Sequence, residues 1–219
     1  YKNVIWYIKR IYRNIKRIEY FKIEGNNMEG RNGVKWSREE TILAYELYCR
    51  TSFSKISQTN PEIKKLSELL GRTPGSVALK MHNLAHYDPE LKKRNVTAMA
   101  HGSKLDGEIF TEFCNDWAEL SYRAQVIQAK MQNIQINELI DVGDIDNIPS
   151  GEYKEKVMRT RVGQYFFRMS VLNSYGNRCC ITGMRRSELL IASHIKPWSV
   201  CDEKTERTNP CNGLCLNSL

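Results

Sequence analysis

Residues 188–198 read ELLIASHIKPW, and this stretch decides the architecture of the C-terminal part of the 219-residue chain. Its apolar and β-branched residues predict a β-strand that delivers His194 at its end. Pro197 has no backbone amide for a strand ladder, so Lys196-Pro197-Trp198 directs the chain out of the sheet. Taken alone, a histidine at the end of a strand is more often structural than catalytic.

Further short motifs lie on both sides of this strand. Upstream, a predicted apolar helix runs through Phe167-Arg168 and ends near Tyr175-Gly176, and Cys179–Gly183 predicts a first strand that ends in a turn. Downstream, a polar loop leads to Asn209-Pro210 and then to Asn212-Gly213-Leu214. An Asn-Gly pair is by itself only a turn signal, and that structural interpretation stays open for Asn212.

In order and spacing, these motifs resemble the HNH endonucleases, which are often bacterial restriction enzymes. The resemblance covers about residues 157–219. It implies a ββα-metal nuclease domain, in which two strands and a helix hold one divalent cation. His194 would be the general base that deprotonates the water attacking the scissile phosphorus, and Asn212 would hold the loop so that His194 faces this water.

The same resemblance implies the partners of the site. The cation, Mg²⁺ or another divalent ion, would bind a phosphate oxygen and stabilise the leaving 3′ oxygen. The substrate would be DNA, with Arg161, Gln164 and Arg168 as candidate phosphate contacts. Because one ββα-metal site cuts one strand at a time, a homodimer is a candidate assembly for double-strand cleavage.

The chain departs from the HNH pattern at two places. Many HNH enzymes have a metal-binding His or Asp before the base, whereas this chain has Ser193, a poor cation ligand. The third residue of the motif is expected beyond Leu219, so the metal ligands are unknown and we expect residues 1–219 to be weakly active or inactive. A non-catalytic DNA-binding or regulatory protein on a decayed HNH scaffold is therefore the alternative function.

The seven cysteines do not predict a zinc site or a disulfide framework. Cys179 and Cys180 are adjacent, and Cys211 and Cys215 are separated by three residues, so neither pair has the Cys-x-x-Cys spacing of structural zinc. Their odd number, without a signal peptide, indicates reduced thiols in a cytoplasmic protein. The sequence has no long run of uncharged apolar residues, so it does not predict a membrane span.

Residues 33–122 predict a helical domain of the helix-turn-helix type. A capping box at Ser37 predicts a helix over 37–50, Asn60-Pro61 opens a second helix that Gly71 ends, and Thr73-Pro74 opens a third. The tight turn between the second and third helices resembles Myb-like and related helix-turn-helix groups. On that interpretation the third helix exposes Lys80 and Asn83 to phosphates or base edges. A plain three-helix bundle without DNA contacts is the alternative.

The remaining segments complete an α+β, two-domain organisation. A fourth helix is predicted over 104–122, residues 123–156 are interpreted as a linker, and residues 157–219 as the truncated HNH domain. Residues 1–32 form a basic extension, since residues 1–27 carry seven Lys and Arg against two Glu. That extension could be an amphipathic helix or merely a frayed or upstream segment, and we expect both chain ends to be cut.

Overall fold

A computed structural model of the chain describes residues 33–89, 91, 102–139 and 151–218. Within these ranges it is mostly helical with a two-stranded antiparallel sheet, which confirms the α+β class. The elements are α1 (Arg38–Cys49), α2 (Pro61–Leu70), α3 (Pro74–Ala85), α4 (Lys104–Phe113), α5 (Trp117–Met131), α6 (Ile136–Leu139), α7 (Glu152–Ser174), β1 (Leu190–His194) and β2 (Gly213–Asn217). The basic extension, 1–32, lies outside the described residues, as do residues 140–150 of the predicted linker.

The first three helices begin where side chains can satisfy free backbone amides. The Ser37 hydroxyl accepts from the Glu40 amide, and the Glu40 carboxylate accepts from the Ser37 amide at 2.8 Å, which completes the predicted capping box. Asn60 and Thr73 cap α2 and α3 in the same way, and Gly71 ends α2 in the left-handed region with φ of 63°. The predicted starts of all three helices are confirmed.

The predicted fourth helix over 104–122 is wrong because the chain breaks within it. α4 ends at Phe113, and Asp116 caps a new helix, α5, by accepting from the Glu119 amide at 3.0 Å. α5 then continues to Met131, well into the predicted linker. Apolar residues recur at helical spacing on both sides of the break, so periodicity alone did not reveal it.

The helical bundle encloses an apolar core and a buried ion pair. Ile63, Val77, Met81 and Leu84 are fully buried between α1, α2 and α3. Arg72 reaches from the turn between α2 and α3 to both oxygens of Glu40, at 2.8 and 3.0 Å. A bidentate pair in this environment fixes the turn against α1. The assignment of α2 and α3 as a helix-turn-helix stays a prediction.

The sheet packs against the C-terminal half of α7. Phe167, Val171 and Leu172 form a second core with Cys179, Leu190 and Cys215. β1 and β2 run antiparallel, with Leu190 opposite Asn217 at one end and His194 opposite Gly213 at the other. The predicted strand that ends at His194 is confirmed.

The other predicted strand, Cys179–Gly183, is wrong. This segment is a turn, closed by the Gly183 amide donating to the Cys179 carbonyl, and Gly183 has φ of 75°. The true partner strand is β2, whose alternation of Leu214 and Leu216 with the buried Cys215 has the two-residue period of a strand.

Helix α7 also contacts the bundle directly. Arg159 pairs with Glu119 of α5 at 2.6 Å, and Asn173 donates to the Arg50 carbonyl at 2.9 Å. The described residues from 35 onward accordingly belong to one compact unit, while the division into domains at 33–122, 123–156 and 157–219 stays a prediction. None of the described helices is long and apolar enough to cross a membrane.

Candidate active site

His194 lies at the end of β1 with its ring between two aromatic side chains. Its imidazole stacks on Phe167 of α7, with ring centroids 3.8 Å apart and planes 11° from parallel. Trp198 meets the ring edge-on at 5.3 Å. The ring is half-buried, and these contacts fix its plane without enclosing it.

The hydrogen bond of the ring decides which nitrogen can accept a proton. Nε2 lies 2.8 Å from the main-chain carbonyl oxygen of Arg207. A carbonyl can only accept, so Nε2 carries the hydrogen and the neutral ring keeps its lone pair on Nδ1. Among the described residues Nδ1 has no hydrogen-bond partner. His194 therefore presents a basic nitrogen that is free to act on another molecule.

Asn212 holds the excursion between β1 and β2 at both of its ends. Its Oδ1 accepts from the Lys196 amide at 2.9 Å, and its own carbonyl accepts from the Ile195 amide at 2.9 Å. Its Nδ2 donates to the Cys201 sulfur at 3.2 Å. Asn212 does not touch the imidazole, so its effect on His194 passes through the backbone that follows the strand.

A second network shapes the part of the excursion that carries the Arg207 carbonyl. Lys196 pairs with Glu206 at 2.5 Å, and the same carboxylate accepts from the Asp202 amide at 2.7 Å. The Lys196 hydrogen bond holds the pKa of Glu206 below its ordinary value and raises that of Lys196. Hydrogen bonds from the hydroxyl and amide of Thr205 lower the pKa of Asp202. The ionised side chains of Lys196, Glu206 and Asp202 thus stabilise the conformation of this loop on its solvent-exposed side.

Gly213 lets the sheet approach α7 closely. A Cβ at this position would lie 2.3 Å from Val171 Cγ2 and 2.9 Å from Phe167 Cζ. Phe167 is the ring on which His194 stacks, so the absence of a side chain at Gly213 and the position of the imidazole are linked. In the sequence, Gly213 stands out only as part of the Asn212-Gly213-Leu214 motif, and that motif gives no sign of this packing role.

The two predicted DNA contacts on α3 differ in their surroundings. The predicted exposure of Lys80 is wrong, since only 5% of the residue is exposed and its ammonium pairs with Asp106 at 2.6 Å. Asn83 is half-buried beside a surface cavity of about 330 Å³ that Trp36 and Lys80 also line. No described contact joins either residue to His194 or Asn212.

The predicted contacts on α7 lie along one exposed side of that helix. Arg161 and Gln164 are exposed and approach each other at 3.5 Å, and Arg168, one further turn along, donates to the Ser187 carbonyl at 3.4 Å. Arg168 directly follows Phe167, the residue on which the His194 ring stacks.

Comparison with known families gives one match. Residues 179–219 match the family model described as HNH endonuclease. Residues 179–219, called the HNH segment below because of this match, are therefore similar to HNH endonucleases. The match spans the turn at Cys179, both strands and the excursion between them, but neither α7 nor the helical bundle. Searches of curated proteins and of solved structures give no match.

The described residues do not by themselves form a cation site in this HNH segment. Across residues 33–89, 91, 102–139 and 151–218, no group of three or more His, Cys, Asp or Glu side chains is placed to hold a metal ion. Ser193, which stands where many HNH enzymes have a ligand, pairs with Leu214 in the sheet. His194 alone cannot hold Mg²⁺, which takes oxygen ligands and several waters.

Three contacts of His194 carried little or no sequence signal. Phe167 belongs to the motif that suggested the family, but nothing in its spacing indicates a stack on the imidazole. Trp198 was noted only as part of the turn after the strand. The Arg207 contact uses a main-chain oxygen that every residue has, so no residue type at that position could have revealed it.

Proposed function

We propose that this chain is a metal-dependent DNA endonuclease of the HNH type, with His194 as the general base of phosphodiester hydrolysis. The observation that carries the proposal is the hydrogen bond from Nε2 to the Arg207 carbonyl, which leaves Nδ1 as the proton acceptor. The match of residues 179–219 to HNH endonucleases supports the reaction class. Restriction of DNA in the cytoplasm, with a homodimer for double-strand cuts, belongs to the same proposal.

The role of each side chain follows from the contacts. Nδ1 of His194 takes a proton from water as the water oxygen bonds to phosphorus and the bond to the leaving oxygen breaks. The resulting imidazolium still donates from Nε2 to the Arg207 carbonyl, so this contact supports both protonation states. Asn212 is a positioning residue, because it holds the backbone after His194 and does not touch the ring.

The proposal includes a requirement for a divalent cation, which the resemblance to HNH endonucleases suggests is Mg²⁺. It does not include a structural zinc ion. Arg161, Gln164 and Arg168 are proposed phosphate contacts because Arg161 and Gln164 are exposed on α7 and Arg168, one turn further along, borders the Ser187 segment that leads into β1. Asn83 stays a candidate contact on α3. Lys80 is not among the proposed DNA contacts, since Asp106 already neutralises its charge.

The test is cleavage of supercoiled plasmid by the full-length protein. We expect cleavage that a chelator abolishes, and a His194→Ala variant that cuts at least about 10²-fold more slowly while binding DNA as the wild type does. Added imidazole is expected to restore part of the activity of that variant, because it supplies the missing base in solution. Equal cleavage by wild type and His194→Ala would remove His194 from the chemistry.

The second candidate function is non-catalytic DNA binding on an HNH scaffold. Two observations favour it. Ser193 is a poor cation ligand, and the described residues contain no group of three or more His, Cys, Asp or Glu side chains placed to hold a metal ion. It predicts that the wild-type protein binds DNA but leaves plasmid intact with Mg²⁺ or Mn²⁺ present. Cleavage that depends on His194 excludes it.

A further inference from the structure

Apart from Arg207, which pairs with Glu203 at 3.8 Å, the described arginines fall into two groups. From Arg38 to Arg159, every described arginine has a carboxylate partner within 4.0 Å. The pairs are Arg38–Glu112, Arg50–Glu46 and Arg50–Glu62, Arg72–Glu40, Arg123–Glu112 and Arg123–Glu119, and Arg159–Glu119 and Arg159–Glu155. Among the described residues, Arg161, Arg168, Arg178, Arg185 and Arg186 have no carboxylate partner. The division falls between the bundle and the segment that leads to His194.

Four of the arginines without partners lie on two segments that contact each other, the end of α7 and the 178–186 turn. Arg168 of α7 donates to the carbonyl of Ser187, which directly follows Arg186 in the chain. The Arg178 guanidinium lies over Gly183, with Nη2 3.0 Å from the place of a Cβ there, two residues before Arg185. Arg178, Arg185 and Arg186 all have solvent-accessible side chains. These contacts connect α7 to the 178–186 turn as one basic surface.

The charge and chemistry of this surface fit a polyanion. Glu188 is the sole acidic residue between positions 178 and 195, and it stands against three arginines. A guanidinium that no carboxylate neutralises keeps its full charge and its planar pair of donors for phosphate oxygens. The ion-paired arginines of the bundle already use that capacity within the protein.

We propose that Arg178, Arg185 and Arg186 extend Arg161 and Arg168 into the phosphate-binding surface of the DNA site. The bundle arginines are not part of this surface. This inference rests on the proposed nuclease function and places the main DNA contact on α7 and the 178–186 turn. DNA affinity then depends on these arginines through the release of counterions from the duplex.

The test measures binding of a labelled DNA duplex by fluorescence anisotropy over about 50–250 mM salt, with EDTA present to prevent cleavage. Changing Arg178, Arg185 and Arg186 together to Gln is expected to lower the slope of log K against log[salt] by about 0.9 for each phosphate that the protein no longer neutralises, so by up to about 3. The affinity near 100 mM salt is expected to fall by at least about tenfold.

The matched control makes the same charge change on the bundle. Arg38, Arg123 and Arg159, which pair with Glu112 and Glu119, are changed together to Gln, and the slope is expected to change by less than about one. A third variant carries Lys at 178, 185 and 186. It keeps the charge and is expected to keep most of the slope, so it separates a loss of charge from a loss of folding.

The outcomes distinguish the two proposals. If the wild type cuts DNA but the 178/185/186 Gln variant binds with the wild-type slope, the basic surface is refuted and the nuclease function stands. If the slope falls as far in the bundle control as in the Gln variant, the surface is also refuted. If the wild type neither binds nor cuts DNA, both proposals fail together.

Discussion

Replacing Gly213 with alanine tests the close contact between the sheet and α7. The glycine has φ of −128° and ψ of 145°, an ordinary extended conformation, so alanine meets no backbone strain there. Its methyl group would lie 2.3 Å from Val171 Cγ2, more than 1 Å inside the 3.4 Å at which ordinary contacts begin. Because Val171 is fully buried, neither group has free space to move into.

The expected cost follows from two opposing effects. Overpacking of a full core costs about 1–3 kcal/mol. Alanine also reduces the freedom of the unfolded chain, which returns about 0.4–1 kcal/mol. We therefore expect Gly213→Ala to lower the free energy of unfolding by about 1–2 kcal/mol, or Tm by about 3–6 °C for a chain of this size.

The assay is urea and thermal unfolding with Gly75→Ala as the matched control. At Gly75, on the first turn of α3, the nearest atom to a Cβ is Gln58 Oε1 at 3.7 Å, so alanine is expected to cost nothing there. Combining Gly213→Ala with Val171→Ala should cost about 1–2 kcal/mol less than the sum of the single changes, because the smaller residue relieves the clash. Strict additivity, or a Gly213→Ala protein as stable as the Gly75→Ala control, would refute the packing argument.

Three further predictions concern the buried pair and the excursion. Arg72→Met should lower the free energy of unfolding in urea by about 3–5 kcal/mol, because it removes the guanidinium partner of the buried Glu40 carboxylate. Adding Glu40→Gln should recover much of this stability, and no recovery would contradict the prediction. Asn212→Ala should lower kcat by about 10²-fold with the KM for DNA unchanged, whereas a change in KM alone would indicate a binding role. Hydrogen bonding to Lys196 lowers the pKa of Glu206, so the stability it adds is present above the unfolded value of 4.5 and is lost as the pH falls through the lower folded value. The protection factors of the loop amides, which remove the pH dependence of intrinsic exchange, should therefore fall on acidification in wild type but not in Glu206→Gln, and a fall towards alkaline pH instead would be inconsistent with this sign.

The starts of the first three helices could be predicted because their causes are local. Ser37, Asn60 and Thr73 each cap a helix through amides two or three residues away, so the pattern and the contact occupy the same few residues. The break before α5 had a local signal too, an Asp116 cap followed by Glu119. Phe113 and Trp117 masked this signal, because their four-residue spacing continues the helical pattern across the break.

What the sequence could not show depends on partners far along the chain. Lys80 is buried because Asp106, 26 residues later, neutralises it, and a charged residue on a helix otherwise indicates solvent. The Cys179–Gly183 turn contains β-branched residues typical of a strand, but β1 pairs with β2 instead. At the candidate site, His194 and Asn212 were found from their motif, whereas the contacts that orient the imidazole had to come from the structure.

The Arg207 carbonyl has one consequence for how this protein can vary. Because a peptide oxygen, rather than a side chain, anchors the imidazole, exchanging residue 207 for any other amino acid leaves the anchor chemically intact. The anchor itself therefore depends on the path of the loop that aims this oxygen, whereas the Arg207 side chain has separate contacts, over the Trp198 ring and with Glu203. A survey of variants should find sensitivity at the residues that bend the chain around this oxygen, even where their own side chains are far from the imidazole.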